Sequence, residues 1–66
     1  MGRNALNELV ILLPARDEED GIGEVIDRIP TEEINSLGYS PRIVVADGKS
    51  SDSTREIAVS KGAEVV

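Results

Sequence analysis

Two uninterrupted apolar runs restrict this chain more than any other feature in it. Leu9 to Leu13 reads LVILL and Ile43 to Ala46 reads IVVA, with no polar residue inside either. A strand with one wet face alternates apolar and polar side chains, so runs without alternation are expected in a parallel sheet covered on both faces. Pro14 is expected to close the first strand. The second is expected over Arg42 to Ala46.

The segments between and after the runs read as crossover helices. Ile22, Val25, Ile26 and Ile29 fall at i, i+3, i+4 and i+7, one apolar stripe that predicts four core residues on a helix stopped by Pro30. Asp17, Glu18, Glu19 and Asp20 crowd its start, where the helix dipole favours negative charge, so a capping role suffices for them. TEEINSLGYSP is a connector with one helical turn near Thr31 to Asn35, and Tyr39 carries no signal within it. DGKSSDS is a turn by composition. Ser53 and Glu56 match a capping box that opens a second helix, with Asp52 a further cap. Ile57, Ala58 and the stem of Lys61 form its apolar side, and Gly62 stands just past its end. AEVV begins a third strand.

The order β-α-β-α-β predicts an α/β fold with a parallel three-stranded sheet and helices mainly on one face, because right-handed crossovers stepping the same way land on the same side. That leaves one apolar face bare. The chain is 66 residues long, and a chain of that size buries only about 60% of its unfolded surface. Two expectations follow: the chain is a single partial domain of a longer protein, or its copies self-associate through the bare face.

Composition removes several function classes. Cysteine and histidine are both absent, so there is no disulfide, no thiolate ligand and no imidazole base. The net charge of −6 opposes nucleic acid and anionic lipid. No apolar run approaches a membrane span, MGRNALNE at residues 1–8 has no signal-peptide core, and the serine or threonine that myristoylation needs is missing, Leu6 standing in its place. A cytoplasmic setting is the default expectation, with a membrane met only through other parts of the protein or a lipid acceptor.

Open parallel sheets bind ligands beyond the carboxyl ends of their strands. Two loops stand there, PARDEED after strand one and DGKSSDS after strand two. The first has no glycine-rich turn and too many acids to cradle phosphate, and Gly21-Ile22-Gly23 follows the acids rather than the strand. Its carboxylates suit neutral donors instead, a sugar hydroxyl or a base N–H. Asp47 suits the same role, or simply starts an Asx-turn. Arg16 either joins the site or pairs with neighbouring acids, and Lys49 reads as a solvated turn residue.

With these residues in view, VILLPARDEEDGIGEVIDRIP followed by RIVVADGKSSDSTREIAVSKGAEVV resembles the start of a family 2 glycosyltransferase, most nearly the polyprenyl-phosphate (dolichyl-phosphate) sugar transferases. The first motif stands at Pro14 to Glu19, with Asp17 replacing the usual Asn. The second stands at Val45 to Thr54, with Ser51 replacing the usual Thr. The resemblance implies half of a Rossmann-like GT-A domain, with Pro14, Arg16, Glu18, Val45 and Asp47 as nucleotide-binding residues. It also implies a nucleotide-diphospho-sugar donor, a polyprenyl phosphate acceptor, and a divalent metal (Mg or Mn) in the full-length enzyme. The metal motif and the acceptor-activating acid of such enzymes lie on later strands, so the chain alone is expected to transfer no sugar. Two competing readings remain: a non-catalytic α/β binding or assembly module, and a receiver-like phosphoacceptor. In the latter, acids stand directly at the strand end, whereas Pro14 to Arg16 intervene here.

Overall fold

The computed structural model describes residues 7–66; the myristoylation reading at Leu6 and the first six residues of the MGRNALNE reading lie outside them. The elements run β1 (Asn7–Ala15), α1 (Ile22–Asp27), α2 (Thr31–Ser36), β2 (Tyr39–Asp47), α3 (Thr54–Ser60) and β3 (Glu64–Val65). The sheet is parallel with strand order β1-β2-β3. This is the Rossmann-like half expected from the element order, with α2 formed in the first crossover.

Both strands are longer than the apolar runs. Pro14 does not end β1: it pairs in register with Ala46, and Ala15 with Asp47. The Ala15 carbonyl accepts from the Gly48 N–H at 2.8 Å, so Ala15 turns its polar backbone groups toward β2. The preceding nitrogen, that of Pro14, therefore faces the free edge, where a missing N–H costs no ladder bond. Tyr39, Ser40 and Pro41 belong to β2 rather than to a connector, because they pair with Asn7, Glu8 and Leu9.

The core lies on one face. Val45 and Ala58 are fully buried, and Ile22, Ile26, Ala15 and Ala63 nearly so, with Leu13, Ile43, Ile57 and Val65 packed around them. Removing a side chain such as Val45 from water contributes about 1.5–3 kcal/mol. Val25 departs from the expected stripe and is 48% exposed. Helix α1 has six residues, of which Ile22 and Ile26 alone are buried. Ile29 follows the helix rather than belonging to it. Gly23 sits where α1 meets α3: an added Cβ would lie 3.3 Å from both Ile57 Cγ2 and Lys61 Cε. Lys61 Nζ bonds Asp27 across the same contact at 2.7 Å.

The opposite sheet face carries Val10 and Leu12, 51% and 61% exposed, in register with Arg42 and Val44. At the amino-terminal end of that face Arg42 joins all three strands. It makes two bonds to Glu64, of 2.5 and 2.8 Å, and an ion pair to Glu8 at 3.5 Å. The two carboxylates hold its guanidinium more firmly protonated than usual, Glu64 foremost.

The ends of α3 follow different rules. Gly62, with φ of 92°, ends it as expected: its N–H donates to the Val59 carbonyl while Ala63 N–H reaches Ala58, the paired bonds of a Schellman motif. The capping box does not form, for the Ser53 side chain makes no cap bond. Asp52 takes that role, accepting from the Thr54 N–H at 3.0 Å and from the Thr54 hydroxyl.

Candidate functional site

Pairing of β1 with β2 sets the loops 16–20 and 47–54 side by side, and the sequence then stitches them together. Three successive N–H groups of the first loop donate to side chains of the second: Asp17 to Ser50 Oγ at 2.8 Å, Glu18 to Thr54 Oγ1 at 2.8 Å, Glu19 to Asp52 Oδ2 at 3.2 Å. Two N–H groups of the second loop donate back, Ser51 to Asp17 Oδ1 at 2.8 Å and Ser53 to Glu19 Oε1 at 3.0 Å. Loop backbone groups need partners, and here each loop supplies the other's. The acids before α1 are therefore not its caps: Gly21 occupies the N-cap position, with no side-chain cap bond.

Asp17 adopts φ of 50° and Lys49 φ of 63°. This left-handed conformation tolerates Asn and Asp better than most side chains. That accounts for Asp17 standing where relatives of the resembling family carry Asn: both fit the backbone and both offer an acceptor to the facing loop.

Asp47 is turned into this network. Its carboxylate accepts from the Ser50 N–H at 3.0 Å and from the Ser50 hydroxyl at 2.5 Å, with Arg55 3.8 Å away. The side chain is only 4% exposed. The Ser50 hydroxyl, then its N–H, hold the carboxyl below the usual Asp range; partial burial opposes the shift and Arg55 adds to it. Asp52 is lowered likewise, foremost by the Thr54 hydroxyl.

A cavity of about 390 Å³ opens beside this wall, lined by Pro14, Ala15, Arg16, Glu18, Ala46 and Gly48. A second, of about 260 Å³, runs along the free edge of β1 under α1 and shares Pro14, Ala15 and Glu18 with the first. The structure thus brings Pro14, Arg16 and Glu18 to one crevice at the carboxyl ends of two parallel strands. It does not bring Val45 or the Asp47 carboxylate to that lining. The Val45 side chain is fully buried in the core, and Asp47 faces Ser50 and Arg55.

Arg16 forms no ion pair among the described residues, so pairing with neighbouring acids does not explain it. Gly48 lies in the 47–50 stretch expected beside the crevice, whereas Ala46, which also lines it, carried no signal of its own. The glycine directly after Asp47 lets the two loops approach: a Cβ there would lie 3.4 Å from Arg16 Cβ and 3.6 Å from the Ala15 carbonyl. Among the described residues, no group of three or more acidic side chains is arranged to hold a metal ion. No helix among them is long and apolar enough to cross a membrane.

No protein-family model matches the chain. It is 46% identical to glucosyl-3-phosphoglycerate synthase of Mycolicibacterium paratuberculosis over 57 residues, 85% of this chain but 16% of that relative. The crystal structure of glucosyl-3-phosphoglycerate synthase from Mycobacterium tuberculosis with phosphoglyceric acid matches at a TM-score of 0.72 and 34% identity, over 92% of this chain and 20% of its own. That enzyme is also known in complex with Mn2+, uridine diphosphate and glucosyl-3-phosphoglycerate, with a TM-score of 0.72. Mannosyl-3-phosphoglycerate synthase from Rubrobacter xylanophilus matches at 0.70 and 34% identity, over 92% of this chain and 19% of its own. The chain thus spans about a fifth or less of the relatives it matches. These likenesses show that the chain has the α/β architecture of a Rossmann-like GT-A half, similar to part of those synthases.

Proposed function

We propose that this segment holds the nucleoside of a nucleotide-diphospho-sugar for a glycosyltransferase, within a single partial domain comprising residues 1–66. One observation carries the reading: Pro14, Arg16 and Glu18 converge on the crevice at the carboxyl ends of β1 and β2, where open parallel sheets take ligands. The likeness to an enzyme crystallised with uridine diphosphate supports it.

Each residue has a role its chemistry permits. The planar Arg16 guanidinium stacks on a base. Glu18 accepts from a ribose hydroxyl or a base N–H, a charge-assisted bond of about 1.5–3 kcal/mol. Pro14 is the apolar wall. Val45 contributes from the core, by seating β2. Asp47 shapes the loop through Ser50, and reaches a base edge only by exchanging those bonds. The carboxylates of Asp17, Glu19 and Asp52 serve the facing loop, and the likeness to an enzyme crystallised with Mn2+ supports a divalent metal (Mg or Mn) for the donor diphosphate in the full-length enzyme. Sugar transfer needs the full-length enzyme too.

For the acceptor, the relatives' names favour a phosphorylated small acid, phosphoglycerate, over the polyprenyl phosphate that the sequence resemblance implies. A cytoplasmic setting fits such an acceptor. The exposed Val10 and Leu12 face supports self-association of the isolated chain.

Calorimetry of the full-length protein with uridine diphosphate and other nucleoside diphosphates, with and without Mn2+, tests the reading. Saturable binding that Arg16→Ala weakens about tenfold supports it. Absence of binding to every nucleotide sinks it and favours a non-catalytic assembly module. Transfer assays offering 3-phosphoglycerate or a polyprenyl phosphate decide the acceptor.

A further inference from the structure

Two buried hydroxyls stand behind the crevice, and neither lines it. Thr54 is fully buried and Ser50 is 5% exposed. Each does the same thing. Thr54 donates its hydroxyl proton to Asp52 and accepts the Glu18 N–H. Ser50 donates its proton to Asp47 and accepts the Asp17 N–H. A hydroxyl has one proton and two lone pairs, so giving the proton to a carboxylate on its own loop leaves it an acceptor toward the other loop. The carboxylates thereby fix the polarity of both bonds, and two successive N–H groups of the first loop are held against α3 and its leading turn.

We infer that Thr54 and Ser50 are positioning residues: they hold the backbone of Asp17 and Glu18 so that Arg16 and Glu18 present their side chains to the crevice. Neither hydroxyl touches the ligand. The inference rests on the nucleotide-binding reading for its ligand, but its geometry is independent of it. Glu18 is the key link, since its N–H is tied to Thr54 while its side chain lines both cavities. Thr54→Val keeps the shape and removes both the acceptor for the Glu18 N–H and the donor to Asp52. Thr54→Ser removes a methyl and keeps it.

The test uses the full-length protein and two readouts. Amide hydrogen exchange without ligand is expected to quicken about tenfold at Glu18 in Thr54→Val, the worth of one hydrogen bond, and to return toward the parent rate in Thr54→Ser. Titration with uridine diphosphate is expected to show affinity weakened about tenfold by Thr54→Val and restored by Thr54→Ser. In a Glu18→Ala background the Thr54→Val loss is expected to shrink, because the side chain being positioned is gone. An undiminished loss there, or equal weakening by Ser and Val, overturns the inference. If Thr54→Val does not fold, Ser50→Ala is read at Asp17 by the same exchange measurement. Should the parent protein fail to bind uridine diphosphate while Glu18 exchange responds as expected, the ligand assignment fails and the positioning stands; unchanged exchange removes the positioning itself.

Discussion

Ser50 holds Asp47 twice, through its N–H at 3.0 Å and its hydroxyl at 2.5 Å, and that same hydroxyl receives the Asp17 N–H. One small side chain therefore ties the end of β2 to the loop after β1. Ser50→Ala leaves a largely buried carboxylate and an N–H short of partners. A loss of about 1–3 kcal/mol is expected, measured by urea unfolding. Stability unchanged within error would mean that water replaces the hydroxyl.

Acid should find the same joint. The folded-state carboxyls of Asp47 and Asp52 both titrate below their ordinary range, held down by the hydroxyls of Ser50 and Thr54. A group depressed in the folded state contributes stability that is complete above its unfolded value and is lost as pH falls through the folded one. The melting temperature should therefore hold steady at mildly acidic pH and decline below about pH 4, near the ordinary Asp value. Asp47→Asn and Asp52→Asn should each flatten that decline. An identical acid limb in both variants would contradict the assignment.

At the crossing of α1 and α3 two effects compete. Gly23→Ala gains about 1 kcal/mol of helix propensity. Against this, its Cβ meets Ile57 Cγ2 and Lys61 Cε at 3.3 Å. Lys61 ends in a flexible stem and can yield, so a near-neutral outcome is expected. Gly23→Leu has no such escape and should lose about 1–3 kcal/mol by overpacking. Thermal melts of both variants decide it; a Leu variant as stable as the parent would show the crossing is loose.

The bare sheet face makes a prediction about size. Val10 and Leu12 are exposed apolar residues on adjacent positions of that face. The isolated chain at micromolar concentration should sediment above monomer weight, and Leu12→Lys should return it to monomer. A well-folded monomer before any substitution would exclude association.

Legibility of the sequence depended on what each signal reports. LVILL and IVVA betrayed parallel strands, and the β-α-β order then fixed the sheet; the burial on both faces that a lack of alternation implies is met on one face alone, since Val10 and Leu12 stay exposed on the other. Pro14 misled because a proline stops a central strand, while edge position is a property of the whole sheet. Ser53 and Glu56 had capping spacing, yet Glu19, 34 residues earlier, claims the Ser53 N–H. Local spacing says nothing of such a partner. For the same reason Pro14, Arg16 and Glu18 were found from one loop, whereas the turn of Asp47 away from them and the service of Thr54 came only with the fold.

Arg42 acts as a gauge of alignment. Its guanidinium reaches Glu8 on one neighbouring strand and Glu64 on the other only in the observed register. A slip of one residue would swing the cation into the oily side beneath α1 and α3; a slip of two would carry it past both acids. Strands this greasy could slide along one another at little cost, and a single charged peg on the outer side makes the misaligned versions expensive.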